Sequence, residues 1–132
     1  MTDTGTPAHY LEAGSTLWPA GLHWASAGFE STDITGTERD IGTGRENTAL
    51  ILATDTNADA ARTCKNYGGG GKDDWFLPSL EEASLFREFL PGGPLFWSST
   101  QSDYDCGRAY ASNHGSSAKD SIYMSTRAIR AF

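Results

Sequence analysis

The chain has 132 residues, of which 38% are hydrophobic, and it contains 15 glycines and four tryptophans. This composition predicts one loop-rich globular domain and excludes an intrinsically disordered chain. The net charge of −7 disfavours nucleic acid and anionic membrane surfaces as partners. No stretch of 18 apolar residues occurs, so membrane insertion is not expected, and no signal peptide is visible.

The first half of the chain predicts two strands and a helix. Leu17–Ala25 is interpreted as a strand followed by a turn, and Thr48–Ala53 as a short buried strand. Asn57–Tyr67 places small and apolar residues at three- and four-residue spacings, and Gly68 follows as a C-terminal stop. That pattern predicts a helix.

A second helix is predicted to begin at a capping box. Ser79 can accept from the backbone N–H of Glu82, while the Glu82 carboxylate accepts from the N–H of Ser79. Pro91-Gly92-Gly93-Pro94 ends this helix. Strands are predicted at Phe96–Thr100, Gly107–Ser112 and Ile122–Ala131. The residues therefore predict an α+β chain, with two helices in the middle and mostly antiparallel strands at the end.

Three motifs resemble ligand-binding loops but lack the residues that those loops require. The run Gly68–Lys72 has Asn66 and Asp73 where a phosphate-binding loop needs Gly and Ser or Thr, so it is interpreted as a flexible turn. Gly42–Asn47 lacks the third glycine of a dinucleotide-binding fingerprint. Asp55–Asp59 has the spacing of a calcium loop but neither its glycine nor its closing glutamate.

No catalytic grouping is recognisable either. His9, His23 and His114 stand alone, without a second ligand at metal spacing, and no serine or cysteine lies in a nucleophile motif. We therefore predict no enzymatic activity, no metal and no cofactor. The pattern leaves open whether Cys64 and Cys106 pair.

The most distinctive segment is 98–126, which holds eight of the 13 serines together with Asp, Tyr and Gly and few large aliphatic residues. Antibody recognition loops have this composition, because tyrosines supply contact area and small polar residues supply adaptable hydrogen bonds. A solvated loop region with surface strands remains the alternative. In the recognition hypothesis, Tyr104, Tyr110 and Tyr123 are the best ligand contacts.

Outside this segment, structural roles are favoured. Trp75 and Trp97 are expected in the core. Arg127 and Arg130 alternate on the last strand beside acidic neighbours, so structural ion pairs are favoured over ligand contacts.

Six short motifs follow one another along residues 10–132. They are Tyr10-Leu11-Glu12-Ala13, Ile41-Gly42-Thr43-Gly44-x-x-Asn47-Thr48, Ala60-Ala61-x-x-Cys64, Asp74-Trp75-Phe76-Leu77-Pro78-Ser79-x-x-Glu82, Phe96-Trp97-Ser98-Ser99-Thr100 and Arg127-Ala128-Ile129-Arg130-Ala131-Phe132. In content and order they resemble the Lcl C-terminal-domain family, named for the last domain of a bacterial collagen-like adhesin. Residues 1–9 are then interpreted as an N-terminal extension or tag remnant, and 10–132 as one domain.

The resemblance implies a C-type-lectin-like fold, with two helices flanking a small, mostly antiparallel sheet and a loop-rich C-terminal binding face. Related domains serve as variable proteins of diversity-generating retroelements, in bacteria or their phages, where adenines of a template repeat are randomised. Randomised asparagine codons exclude Lys, Glu, Gln, Met and Trp. In Ser102–Thr126 only Lys119 and Met124 fall outside the permitted set. The ligand-binding positions, expected to face solvent, are Asp103, Tyr104, Asp105, Arg108, Tyr110, Ser112, Asn113, His114, Ser116, Ser117, Asp120 and Tyr123.

The function implied is non-enzymatic binding of a protein or cell-surface ligand, at a cell or virion surface where the domain is part of a longer chain. An oligomeric surface adhesin domain that binds polysaccharide is the alternative, and the charge of −7 argues against a polyanionic ligand. A homo-oligomer is compatible with both.

Three departures limit what the resemblance implies. The calcium signatures of sugar-binding C-type lectins are missing, so calcium-dependent sugar binding does not carry over. Formylglycine-generating oxidases share the fold and use a cysteine pair, but no partner base or metal-ligand group accompanies the cysteines here. Family members usually begin with a Gly-rich strand, and only residues 1–9 precede the first motif in this chain.

Overall fold

The computed structural model of the protein describes residues 11–18, 22–89, 95–103, 105–121 and 124–131. Within these ranges the fold is α+β, as predicted, with three α-helices and two small antiparallel sheets. In chain order the elements are β1 (Leu11–Trp18), α1 (Gly44–Thr54), α2 (Asp59–Lys65), a 3-10 turn (Gly69–Gly71), α3 (Leu80–Phe89), β2 (Trp97–Gln101), β3 (Arg108–Ala111), β4 (Ser116–Ala118) and β5 (Thr126–Ala131).

The two sheets are joined through the last strand. β1 and β5 pair antiparallel, and β2, β3 and β4 form the second sheet in chain order. Phe76 makes an antiparallel bridge with Ile129, and Phe96 makes a parallel bridge with Ser125. Residues 125–131 therefore connect the first sheet to both the helical part and the second sheet.

The prediction of a strand at Thr48–Ala53 is wrong, because these residues belong to helix α1. The buried residues of α1 are Gly44, Asn47, Thr48 and Ile51, at three- and four-residue spacings that define one helical face. A short apolar run cannot be assigned to strand or helix by periodicity alone. The chain consequently has three α-helices in its described part, where two were expected.

The other two helices confirm the sequence predictions. α2 lies within the predicted Asn57–Tyr67 segment. At the start of α3, the backbone N–H of Ser79 donates to Oε1 of Glu82 at 2.8 Å, and the N–H of Glu82 lies 3.4 Å from Oγ of Ser79. This reciprocal pair is the predicted capping box.

The predicted C-terminal strands are confirmed in position by β2, β3 and β5, whereas the N-terminal strand is displaced. β1 ends at Trp18, so the predicted Leu17–Ala25 strand overlaps it at only two residues. Trp24 is 1% exposed and lies in a loop, where its side chain fills the core. Burial of a tryptophan thus does not require a strand. β4 was not predicted, because Ser116-Ser117-Ala118 carries no apolar alternation.

The last strand is tied to its surroundings by two arginines. Arg130 donates to Asp74 at 2.6 Å and to Glu12 at 3.0 Å, which confirms its predicted structural role. Burial raises the pKa of Asp74, but the hydrogen bond and charge of Arg130 outweigh that effect and lower it. Arg127 instead donates to the backbone oxygen of Gly14, where the β1–β5 register shifts. The ion pair expected for Arg127 is not found among the described residues.

Residues 22–43 form a long loop without helix or strand, and side chains from elsewhere hydrogen-bond its backbone. Seven of these residues, called anchor residues below, are Asn47, Asp55, Ser79, Glu82, Thr100, Gln101 and Lys119. All of them except Gln101 are buried. Their hydrogen bonds compensate for the backbone pairing that regular structure would otherwise provide.

The hydrophobic core draws on α1, α2 and both sheets. Trp75 and Trp97 are 3% and 0% exposed, which confirms that both are core residues. The indole N–H of Trp97 donates to the Leu22 oxygen at 3.1 Å, and that of Trp24 donates to the Ser98 oxygen at 2.7 Å. The core therefore fixes one end of the 22–43 loop against β2, the strand that leads into the candidate site.

Candidate recognition face

The candidate site consists of the turns that connect the strands of the second sheet. The turn before β3 is closed by backbone bonds from Arg108 N to the Asp105 oxygen and from Ser102 N to the Arg108 oxygen, both at 3.0 Å. Oδ1 of Asp105 also accepts from Gly107 N at 2.8 Å. Side-chain acceptance two residues along is the usual way in which Asp stabilises a turn.

The turn between β3 and β4 has the same construction. The N–H of His114 donates to the Ala111 oxygen at 3.0 Å, and Oδ1 of Asn113 accepts from Gly115 N at 2.9 Å. His114 has φ of 69°, a left-handed conformation in which His, Asn and Asp are enriched among non-glycine residues. Both turns thus have a backbone defined by local hydrogen bonds.

Most of the predicted ligand-binding positions lie on these turns and at the ends of the strands. The exposed residues are Asp103, Asp105, Asn113, His114 and Asp120, and the half-buried ones are Arg108, Ser116 and Ser117. Tyr104 and Tyr123 lie outside the described residues.

The expectation of solvent exposure is wrong for Tyr110 and Ser112, which are 8% and 1% exposed. Tyr110 lies on β3, with its hydroxyl 3.2 Å from Oδ2 of Asp103, and its backbone oxygen accepts from Oγ of Ser98 at 2.8 Å. Oγ of Ser112 accepts from Phe96 N at 3.2 Å. The polar atoms of both residues are satisfied by the protein, so their polarity did not indicate exposure.

Arg108 is half-buried and bonded across the sheet. Its Nε donates to Oγ of Ser116 at 2.9 Å, and one terminal nitrogen donates to the Ser116 oxygen at 2.7 Å. The guanidinium therefore joins β3 to β4, and a ligand would have to compete for its donors. The exposed acidic and amide side chains of the turns are more readily available.

Two residues outside the predicted segment contribute to the face. Arg39 forms an ion pair with Asp103 and lies 5.5 Å from the Tyr110 ring, and Glu81 lies 3.3 Å from Nε2 of His114. The hydrogen bond to Asp103 raises the pKa of Arg39. No local sequence signal could have identified these contacts, because they join residues 64 and 33 positions apart.

Lys119 is fully buried beneath the turns. Its Nζ donates to the Thr32 oxygen at 2.9 Å and to Oε1 of Gln101 at 2.7 Å, and it lies 4.6 Å from the Trp24 ring. None of these three partners is charged, and burial lowers the pKa of the Lys119 ammonium to about 8. Its main-chain oxygen also accepts from Trp24 N and Ala25 N.

Met124 is also buried, at 5% exposure. Lys119 and Met124 are the two residues of Ser102–Thr126 outside the set that randomised asparagine codons permit. Both therefore belong to the framework and not to the exposed face.

The described residues offer few reactive groups. Cys64 and Cys106 are both free, so they do not form a disulfide in this structure. Burial raises the pKa of the Cys64 thiol, and Sγ of Cys106 lies 3.1 Å from the Ser31 oxygen. Among the described residues, no group of three or more His, Cys, Asp or Glu side chains is arranged to hold a metal ion.

Comparison with protein-family models, curated proteins and solved structures finds no match. None of the helices in the described ranges has the length and apolar character needed to cross a membrane.

Proposed function

We propose that this protein is a non-enzymatic recognition module with a C-type-lectin-like fold, and that the exposed turns of its second sheet bind a protein or cell-surface ligand. The observation that carries the proposal is the division within Ser102–Thr126. Every exposed residue described in this segment belongs to the set that randomised asparagine codons permit. The two residues outside that set, Lys119 and Met124, are buried.

The topology supports this assignment of fold. The first and last strands pair with each other, and a separate three-stranded antiparallel sheet presents the turns. Three helices in place of two is the principal difference from the expected architecture. An immobile scaffold with exposed connections is the usual arrangement for binding loops.

The chemistry of the face suits recognition without a metal. Its turns are defined by backbone and short-range bonds, so a ligand meets pre-organised groups and little ordering entropy opposes binding. Asp103, Asp105, Asn113, His114 and Asp120 supply hydrogen-bonding groups on exposed side chains. Arg39 and Glu81 complete the face as residues outside the variable segment.

A genomic observation tests the diversification part of the proposal. A near-copy of the DNA encoding Ser102–Thr126 should lie close to the gene, differing from it almost only at adenines of the copy. A reverse transcriptase gene should accompany the copy. If the flanking DNA holds no adenine-biased repeat, the retroelement interpretation is wrong and an ordinary binding module is left.

A displayed library tests the binding face directly. The five exposed positions named above are randomised, and binders are selected against a single protein probe, hen lysozyme. A matched control library randomises five exposed positions of α1: Arg45, Glu46, Ala49, Ala53 and Thr54. We expect folded binders from the first library and none from the second. Equal yields from both libraries would contradict the assignment of the face.

A further inference from the structure

A cavity on another part of the molecule has the composition of a small-ligand site. Its volume is about 220 Å³, and it is lined by Glu12, Ala13, Tyr67, Gly69, Gly70, Lys72 and Trp75. These residues come from β1 and from the segment after α2, and none belongs to the recognition face. Any ligand must be small, since drug-sized ligands occupy pockets of about 300–1,000 Å³.

An aromatic pair forms part of the lining of this cavity, chiefly through Tyr67, because Trp75 is 3% exposed. The rings of Tyr67 and Trp75 meet edge to face, with centroids 4.9 Å apart. The indole N–H of Trp75 donates to the Gly69 oxygen at 3.1 Å, which fixes the indole against the glycine run. Tyr67 is half-buried, so part of its surface remains accessible.

The glycine run is needed for this arrangement, so it does more than supply a flexible turn. A Cβ on Gly69 would lie 2.3 Å from the hydroxyl oxygen of Tyr67, and one on Gly14 would lie 2.8 Å from its Cε2. Neither distance is sterically possible, so the ring fits only because both positions are glycine. Gly70 and Gly71 have positive φ values of 67° and 74° and turn the chain around the ring.

Two opposite charges contribute to the lining. Glu12 has a side chain 49% exposed, and its Oε1 accepts from Arg130 at 3.0 Å. Lys72 is exposed and forms no ion pair with any residue that the structure describes. A carboxylate and an ammonium thus line the same cavity as the aromatic pair.

We propose that this cavity binds a small zwitterion with an apolar body, such as a free α-amino acid. The ligand's ammonium pairs with Glu12, its carboxylate pairs with Lys72, and its apolar side chain contacts Tyr67 and Trp75. A neutral sugar could stack on the aromatic rings but would leave Lys72 without a counter-ion among the described residues, and Glu12 with Arg130 as its one described ionic partner. The zwitterion is the one class that uses all three features of the lining.

The proposal is tested by NMR titration of the isotope-labelled protein with L-leucine. A ligand with so few atoms is expected to bind in the high micromolar to millimolar range, so the titration runs to about 10 mM. Saturable shifts are expected for the amides of Gly69 and Gly70 and for the indole N–H of Trp75. The amides of Gly107 and Gly115, on the recognition face, are the internal control and should not move.

Charge-matched probes separate the two ion pairs. L-Leucinamide lacks the carboxylate and 4-methylpentanoate lacks the ammonium, so each should bind at least about fivefold more weakly than leucine. Lys72→Gln should weaken leucine binding by a similar factor and remove its advantage over leucinamide. Lys65→Gln, an equal charge change at an exposed position of α2 outside the cavity, should leave the affinity unchanged.

Absence of shifts with leucine at about 10 mM, above the expected range of dissociation constants, would overturn the proposal. Shifts with glucose or galactose but none with leucine would also overturn it, because the ligand class would then be wrong. Leucine binding that Lys72→Gln leaves unchanged would reject the role of Lys72 and with it the zwitterion. These outcomes are independent of the recognition face, whose library experiment uses other residues and another probe.

Discussion

The 22–43 loop and the turns of the recognition face both lack regular structure, yet they are stabilised in opposite ways. The loop depends on buried anchor residues from distant parts of the chain, such as Glu82 and Lys119. The backbone of the turns depends on bonds between residues two to six positions apart, and Arg39 and Glu81 contact only exposed side chains of the turns. The 22–43 loop is therefore part of the core structure, whereas the turns of the recognition face lie on its surface.

The difference indicates where substitutions can be tolerated. Removing an anchor residue leaves partly buried backbone groups without partners, which costs more than losing an exposed contact. Water can replace an exposed turn side chain that makes no hydrogen bond to the backbone of its own turn, whereas Asp105 and Asn113 make such bonds. A surface can vary in sequence without loss of the fold only where its turns are stabilised locally, as those of the recognition face are. The 22–43 loop belongs to the framework that carries these turns.

The largest effect is expected for Glu82→Ala. Its carboxylate accepts from Gly42 N and Ser79 N, both at 2.8 Å, and the side chain is fully buried. Losing two charge-assisted hydrogen bonds and leaving two backbone donors unsatisfied should lower the free energy of unfolding by about 3–5 kcal/mol. Denaturant unfolding measures this change.

The matched control is Glu81→Ala, in the same turn of α3. Glu81 is partly exposed and lies beside His114, so its loss should cost less than about 1 kcal/mol. Similar losses for the two variants would mean that the 22–43 loop does not depend on its buried anchor residues.

Tyr110→Ala is expected to cost about 3–4 kcal/mol, because it removes a buried aromatic side chain from β3. Tyr110→Phe keeps the ring and loses only the hydroxyl contact with Asp103, so about 1 kcal/mol is expected. Thermal unfolding of both variants distinguishes a framework residue from a ligand contact. If Tyr110→Ala loses no more than about 0.5 kcal/mol, Tyr110 is exposed, as the composition predicted.

Because of Lys119, we expect the free energy of unfolding to rise at alkaline pH. Burial lowers its folded pKa to about 8 from an ordinary 10.5, and the charges of Cys106, Asp33, Asp105 and Asp55 oppose this effect without cancelling it. Below about pH 8 both states are protonated and the penalty for burying the ammonium is complete. Between about pH 8 and 10.5 the unfolded chain binds more protons, so stability increases with pH, by up to about 3 kcal/mol.

Denaturant unfolding from about pH 7 to pH 10 measures this slope, with Lys119→Met as the control. Cys64 acts in the opposite direction, because its thiol stays protonated in the fold while the unfolded thiol ionises above about pH 9. The difference between wild type and Lys119→Met therefore isolates the lysine. If the free energies of unfolding of wild type and Lys119→Met change in parallel with pH, the folded pKa of Lys119 is not lowered. The fold would then stabilise the buried ammonium better than its uncharged partners suggest.

Features that depend on neighbouring residues were predictable from the sequence. The capping box of α3 joins Ser79 to Glu82, three positions apart, and the pattern alone defines the hydrogen bonds. Helix α1 was missed because its buried face includes the polar Asn47 and Thr48. Asn47 forms two hydrogen bonds with the backbone of Glu38, and Thr48 bonds Leu77, which no local pattern reveals.

The candidate site was predictable in outline for the same reason. Turn-forming Asp105 and Asn113 lie where composition placed them, exposed at the ends of strands. Composition failed at Tyr110, which lies on β3, and at Ser112, which follows that strand. The fold supplies hydrogen-bond partners for the polar atoms of both residues, so both can be buried. The fully buried Lys119 is the extreme case, since lysine is almost never buried without a counter-charge.

The smallest effects are expected on the turns themselves. Asp103→Ser, His114→Asn and Asp120→Ser should each change the free energy of unfolding by less than about 1 kcal/mol, since all three side chains are exposed. His114 adds a finer test, because its φ of 69° is accessible to Asn but unfavourable for a β-branched residue. His114→Val should therefore be less stable than His114→Asn by about 1–2 kcal/mol in thermal unfolding. A loss above about 2 kcal/mol for Asp103→Ser or Asp120→Ser would make that turn part of the framework, and a face that varies freely could not include it. Equal stabilities of the two His114 variants would mean that the backbone adapts at this position, so replacements there would be limited by ligand binding alone.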